Sequence, residues 1–120
     1  MNKYVLLIGL MMSSSLYVMA KGTDRIEQFS NSRVKVWNTV IYPAAKQALP
    51  MHRHEHDRVL IALTDGELQI TSDKGDTHPL KLVKDKAYYL KKDLPGELHN
   101  DVNTTNHPIK VVVIELKDEA

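Results

Sequence analysis

From Arg33 onward the chain is a succession of short apolar runs separated by turn residues. Arg33 to Tyr42 (RVKVWNTVIY) alternates, with Val34, Val36, Val40 and Tyr42 on one parity. Arg58 to Leu63 is a compact apolar run, and Glu67 to Thr71 alternates again. Leu80 to Val83, Ala87 to Leu90 and Ile109 to Leu116 complete the series. Period-two alternation places successive side chains on opposite faces of an extended chain, which is the signature of strands buried on one side. Two turn signals interrupt the runs. Asp65-Gly66 reads as a hairpin turn, because Asp and Gly tolerate the positive φ of a type I′ turn, and Asp73 to Asp76 (DKGD) reads as another. No segment after Ala20 has the apolar period of an amphipathic helix. Six or seven closely spaced strands of this kind predict an all-β sandwich or barrel with antiparallel strands.

The N-terminal end has a different texture. Lys3 precedes an apolar run from Tyr4 to Met12, three serines follow, and Val18-Met19-Ala20 ends on a small residue. That order predicts a secretory signal peptide over residues 1–20, cleaved after Ala20. The apolar run is shorter than the roughly 20 residues of a membrane-spanning helix, and with no Cys in the chain a lipid anchor on a Cys is excluded. The expectation is therefore an exported protein, periplasmic or secreted, with no stable membrane anchor after cleavage. Residues 21–32 are polar and read as a lead-in, with a helical turn or an edge strand as the alternatives. Residues 33–120 form the barrel domain.

Removing residues 1–20 takes away one cation, Lys3, and no acid, which lowers the formal charge from +1 to 0. No basic excess is then left to hold nucleic acid or an anionic membrane surface. The absence of Cys removes thiolate nucleophiles and thiolate metal ligands. It also removes the disulfides that stabilise many small exported domains, so the core has to suffice, helped by a metal or by homodimer formation.

All six histidines lie after residue 20, and three of them fall in one run, Met51-His52-Arg53-His54-Glu55-His56-Asp57-Arg58. In an extended chain His52, His54 and His56 share a face, and Arg53, Glu55 and Asp57 share the other. Two imidazoles so spaced can reach one ion, at the 2.0–2.1 Å typical of zinc–nitrogen bonds. A third ligand must come from elsewhere, and His99, just after a Pro95-Gly96 turn, is the candidate. Judged alone, the run is equally a solvated polar loop. His78 and His107, each followed by Pro, read as surface loop residues. Asn103 reads as a turn-fixing side chain, Glu97 as a solvated one, and Trp37 as core or barrel rim. Tyr88 and Tyr89 point to opposite faces of one strand; one belongs to the core, and Tyr89 is taken as the ring that lines a pocket.

The segment PMHRHEHDRVLIALTDGEL, residues 50–68, resembles the first motif of the cupin superfamily, with His52, His54 and Gly66 in place. PGELHNDVN, residues 95–103, resembles the second, with Gly96, His99 and Asn103 at the motif's spacing. The resemblance implies a double-stranded β-helix, a jelly-roll barrel, in which the histidines of both motifs converge on a divalent metal (Fe, Zn, Mn or Ni) beside a small-molecule pocket. It departs from the pattern in two places. The metal-binding Glu of the first motif falls at 58 or 59, where this chain has Arg58 and Val59. His56 has the parity to replace that Glu, whereas Asp57 would need a bulge. Arg58, if inward, repels a cation or binds a substrate carboxylate bidentately beside it. In the second motif, Asp85 stands where the opening Gly is usual. The expected site is then His52, His54, His99 and His56 on the metal, with Arg58 and Tyr89 on the substrate. Such a site suits a metal-dependent dioxygenase, isomerase or lyase. The alternative is a non-catalytic ligand-binding or interaction domain without metal.

Overall fold

The computed structural model describes residues 23–43 and 51–118. The leader expected over residues 1–20 lies outside the described residues.

Eight antiparallel strands form two sheets: β1 (Thr23–Ser30), β2 (Val34–Ile41), β3 (Arg58–Ala62), β4 (Gly66–Ser72), β5 (Thr77–Leu82), β6 (Ala87–Leu90), β7 (His99–Asn103) and β8 (Ile109–Leu116). One sheet has the order β1-β2-β8-β3-β6, and the other β5-β4-β7. The core joins them. Trp37, Ile41, Leu60, Ala62, Ile109, Val111 and Val113 from the larger sheet meet Leu68 and Leu82 from the smaller one.

On β2 the residues in the main core cluster are Trp37 and Ile41, one residue out of phase with the Val34, Val36, Val40 set, of which Val36 is itself buried. Both faces of β2 carry apolar groups, so alternation located the strand without choosing its inner face. Register makes the choice: Trp37 lies opposite Val113, Thr39 opposite Val111 and Ile41 opposite Ile109.

Two strands lie outside the runs that alternation marks. β1 is an eight-residue strand at the sheet's edge, the edge-strand alternative for the lead-in segment. It pairs with β2 from Thr23↔Ile41 to Ser30↔Lys35, with an irregularity between Glu27 and Phe29. β7 (HNDVN) is nearly devoid of apolar residues, and pattern alone passes over it. Its pairing with β4, from Leu68↔Asn103 to Ser72↔His99, makes it a strand.

Asp65-Gly66 does not make a hairpin turn. The chain there crosses from β3 in the larger sheet to β4 in the smaller one, and Gly66 is not among the positive-φ residues. Gly66 is needed for another reason: a Cβ there would lie 2.5 Å from Ile109 Cγ1. The DKGD segment does turn a hairpin, joining β4 to β5, with Thr71 opposite Thr77. Asn103 is buried and ties three segments together. Its side-chain amide donates to the carbonyls of Ile41 and His107, and its Oδ1 accepts from Thr105 N–H.

Candidate metal centre

The run Met51–Asp57 is extended up to a bend at His56. It is anchored to β7 by a reciprocal pair of backbone bonds, His52 N–H to His99 O at 2.9 Å and His99 N–H to His52 O at 2.8 Å. That bridge brings the two histidine stretches side by side. A second tie lies two residues along, where His54 N–H donates to Asp93 Oδ2 at 2.6 Å and Asp93 N–H donates to His54 O at 2.9 Å. The approach to β7 from the other side is a tight turn. Glu97 N–H bonds Leu94 O at 3.0 Å, with Pro95 and Gly96 between them and Gly96 at φ 77°, the residue pattern of a type II turn.

His52, His54, His99 and Asp101 each offer a ligand atom, and these atoms all lie within 4.8 Å of one another. The rings are 4.7 Å (His52–His99), 4.9 Å (His52–His54) and 5.1 Å (His54–His99) apart, centroid to centroid. Asp101 faces Nε2 of two of them, at 3.8 Å from His52 and 3.7 Å from His99. His99 is only 7% exposed. Its Nδ1 is 3.1 Å from Asp93 Oδ2. A carboxylate on Nδ1 fixes the ring's orientation and directs Nε2 to the cluster, the usual outer partner of a metal-bound imidazole.

His54 supplies the test of whether a cation fits. Its Nε2 is buried and accepts no hydrogen bond, an arrangement that costs free energy unless something occupies the lone pair. Burial first, then the charges of Arg58, His52, His99 and Arg25, push its pKa down to about 3. The ring is therefore neutral at physiological pH, as a metal ligand must be. Three imidazole nitrogens and a carboxylate around one point suit a divalent transition metal, and the residues present fit one.

The structure brings together three of the four residues expected on the metal. His56 is placed elsewhere: the bend turns it aside, and its Nδ1 sits 3.6 Å from Asp118 Oδ2. Asp101 takes the carboxylate's place from the opposite motif. Its signal in the sequence was the alternation His99-x-Asp101, legible only once residues 99–103 are known to be a strand. Asp93 had no local signal. Asp57 lies outside the cluster, accepting from Tyr89 Oη at 2.6 Å and from Lys92 N–H at 2.8 Å.

A cavity of about 620 Å³ adjoins the cluster, lined in part by Trp37, Thr39, Leu60, Leu68, Arg58 and Arg25. Arg58 shares the inner parity of Leu60 and Ala62. Its Nε is buried without a hydrogen bond, and burial is the largest influence on the group, lowering its pKa. Tyr89 borders the cavity but is 58% exposed, with its hydroxyl held by Asp57. The register explains this, since Tyr88 lies opposite the core residue Leu60 and Tyr89 opposite Val59. His78 is on β5 rather than in a loop, exposed at the cavity's edge. His107 is in a loop, with Nε2 2.9 Å from Asp65 O.

Comparison with known proteins agrees with the fold. The chain is 37% identical over 90 residues to the β-alanine degradation protein BauB of Pseudomonas aeruginosa, covering 75% of this chain and 88% of that protein. A solved cupin domain from Bordetella pertussis superposes with a TM-score of 0.69 at 27% identity, covering 81% of this chain and 95% of that one. An RmlC-like cupin with a double-stranded β-helix fold from Methanocaldococcus jannaschii gives 0.60 at 16% identity, covering 82% and 84%. No protein-family model matches the chain.

Proposed function

This chain belongs to the cupin superfamily, and from that premise we propose that it holds a divalent metal through His52, His54, His99 and Asp101 and takes a small molecule into the adjoining cavity. The observation that carries the reading is the convergence of four ligand atoms within 4.8 Å, one of them a buried nitrogen with no other partner. A metal there supplies Lewis-acid polarisation of a ligand oxygen, or redox chemistry if it is iron. The protein's own part is to hold the imidazoles in register through the His52–His99 bridge. Asp93 keeps His99 aimed, and apolar walls exclude water from one side of the site. The Pseudomonas relative's name concerns β-alanine degradation, and a role in handling small metabolites of that order belongs to the same reading.

Elemental analysis and calorimetric titration with Zn, Mn, Ni and Fe(II) test it. One metal per chain is expected, with binding abolished in His54→Ala and His99→Ala and weakened in Asp101→Asn. Unchanged metal content in all three variants would retire the proposal. We also propose that residues 1–20 are removed on export. Recovery of a chain beginning at Lys21 from the periplasmic or culture fraction is expected, and an intact Met1 terminus there argues against it.

A further inference from the structure

Two guanidinium groups line the cavity without an ion pair to any carboxylate of the described residues, and from them we infer the class of its ligand: a small molecule bearing a carboxylate, taken by Arg58 with Arg25 as a second cationic contact. The inference rests on the reading of this cavity as a ligand site.

Acids are present, but they are committed to other groups. Asp93 is held by His99 Nδ1 at 3.1 Å and by the backbone of His54. Asp101 faces Nε2 of His52 and of His99. Among the described residues Arg58 makes no ion pair, although it lines the cavity and its Nε is sealed from solvent. Asp93, Asp101, Glu115 and Asp57 act on Arg58 from a distance, but none is in ion-pair contact with it, and its buried Nε has no hydrogen-bond acceptor, which costs free energy. A carboxylate answers it with two parallel charge-assisted hydrogen bonds, which no water or neutral amide reproduces.

Arg25 approaches from β1, the edge strand that the sequence leaves without chemistry. Its guanidinium carbon lies 3.6 Å from the centroid of the Trp37 ring. This cation–π contact holds the Arg25 charge over the indole at the cavity wall. Among the described residues Arg25 also makes no ion pair. Both arginines line the same cavity as His52, His54 and His99. Leu60, Leu68, Leu90 and Val113 line the same cavity and provide apolar contact for the ligand's carbon body.

The balance of charge favours a carboxylate over a phosphate ester. Asp76, Asp93, Glu97 and Asp101 line the cavity against Arg25, Arg58 and Lys91. Four acids against three cations leave the metal-free walls at −1, so in the chelator-treated protein a singly charged head group is accommodated at less cost than a doubly charged one.

Trp37 is the sole tryptophan of the chain, so its emission reports ligand binding beside Arg25. The experiment titrates the purified protein, zinc-loaded and chelator-treated in parallel, with acetate, butyrate, succinate and benzoate, with their amides, and with inorganic phosphate. Saturable change with at least one carboxylate is expected, with its amide and phosphate at least about tenfold weaker. Arg58→Gln should weaken the carboxylate by about tenfold or more, and Arg58→Lys by less, with zinc stoichiometry and thermal stability undiminished in both. Arg25→Gln should weaken it less than Arg58→Gln does. Amide or phosphate binding as tight as carboxylate, no binding by any carboxylate, or unchanged affinity in Arg58→Gln overturns the inference. Failure to load zinc is a separate result, since it strikes the metal reading and leaves the anion preference measurable in the chelator-treated arm.

Discussion

At the scale of single residues, the centre depends on how two carboxylates are divided between inner and outer roles. Asp101 offers an oxygen to the cluster, and Asp93 stands behind His99. Replacing Asp93 by Asn keeps the size but removes the charge that orients the ring. Metal affinity should fall by about 10–100-fold, as read by competition with a chelator, with stoichiometry intact at saturating metal. His54 gives a pH dependence of definite sign. Its pKa in the folded, metal-free protein is about 3 against an ordinary 6.5. Between those values the unfolded chain binds a proton that the folded chain refuses, so stability falls as pH drops from 6.5 toward 3. Denaturant titrations of chelator-treated protein across that window should show the decline, and it should shrink in His54→Ala. An NMR titration should find the His54 ring still neutral at pH 5.

At the scale of elements, two turns carry backbone constraints that can be tested. Asp85 has φ 70°, in the left-handed region, with its N–H on Ala62 O. It stands where the cupin pattern has Gly, and an L-residue there carries a cost that Gly avoids. Asp85→Gly should stabilise the fold by up to about 1 kcal/mol in denaturant unfolding. Gly66 is the opposite case, for its constraint is space rather than dihedral angle. A methyl group there meets Ile109 at 2.5 Å, and Ile109 is fully buried in the core. Gly66→Ala should destabilise by about 1–3 kcal/mol. β1 is an edge strand with Ile26 63% and Phe29 54% exposed. Such an edge needs cover, and a second copy of the chain is the occupant proposed here. Sedimentation should show a dimer that Phe29→Lys weakens, and a monomer at all concentrations would refute it.

At the scale of the whole molecule, the proposed metal centre draws on separate parts of the chain. The residues of the cluster come from the first-motif run and from β7, which belongs to the smaller sheet, while Arg58 and Arg25 reach the same cavity from the larger one. A ligand that binds only the folded state stabilises it by mass action. Zinc at about one hundred times its dissociation constant should add roughly 2.7 kcal/mol, or on the order of 10 °C in melting temperature for a domain of this size. Calorimetry should show that shift in the native chain and a much smaller one in Asp101→Asn.

The sequence by itself determined the all-β class, most of the strands, and the meeting of His52, His54 and His99, because period-two alternation and motif spacing are local properties of the chain. Tertiary structure alone decided the rest. It selected Trp37 and Ile41 as the inner face of β2, since a strand apolar on both sides has no preferred face until its partners are set. It made a strand of the polar segment His99–Asn103 and so turned Asp101 toward the histidines. It diverted His56 at a bend and brought Asp93 and Arg25 to the site from segments with no motif of their own. Apart from the bend, each of these is a pairing between distant stretches that no motif marks, unlike the meeting of His52 and His99, and local residue order carries no trace of it.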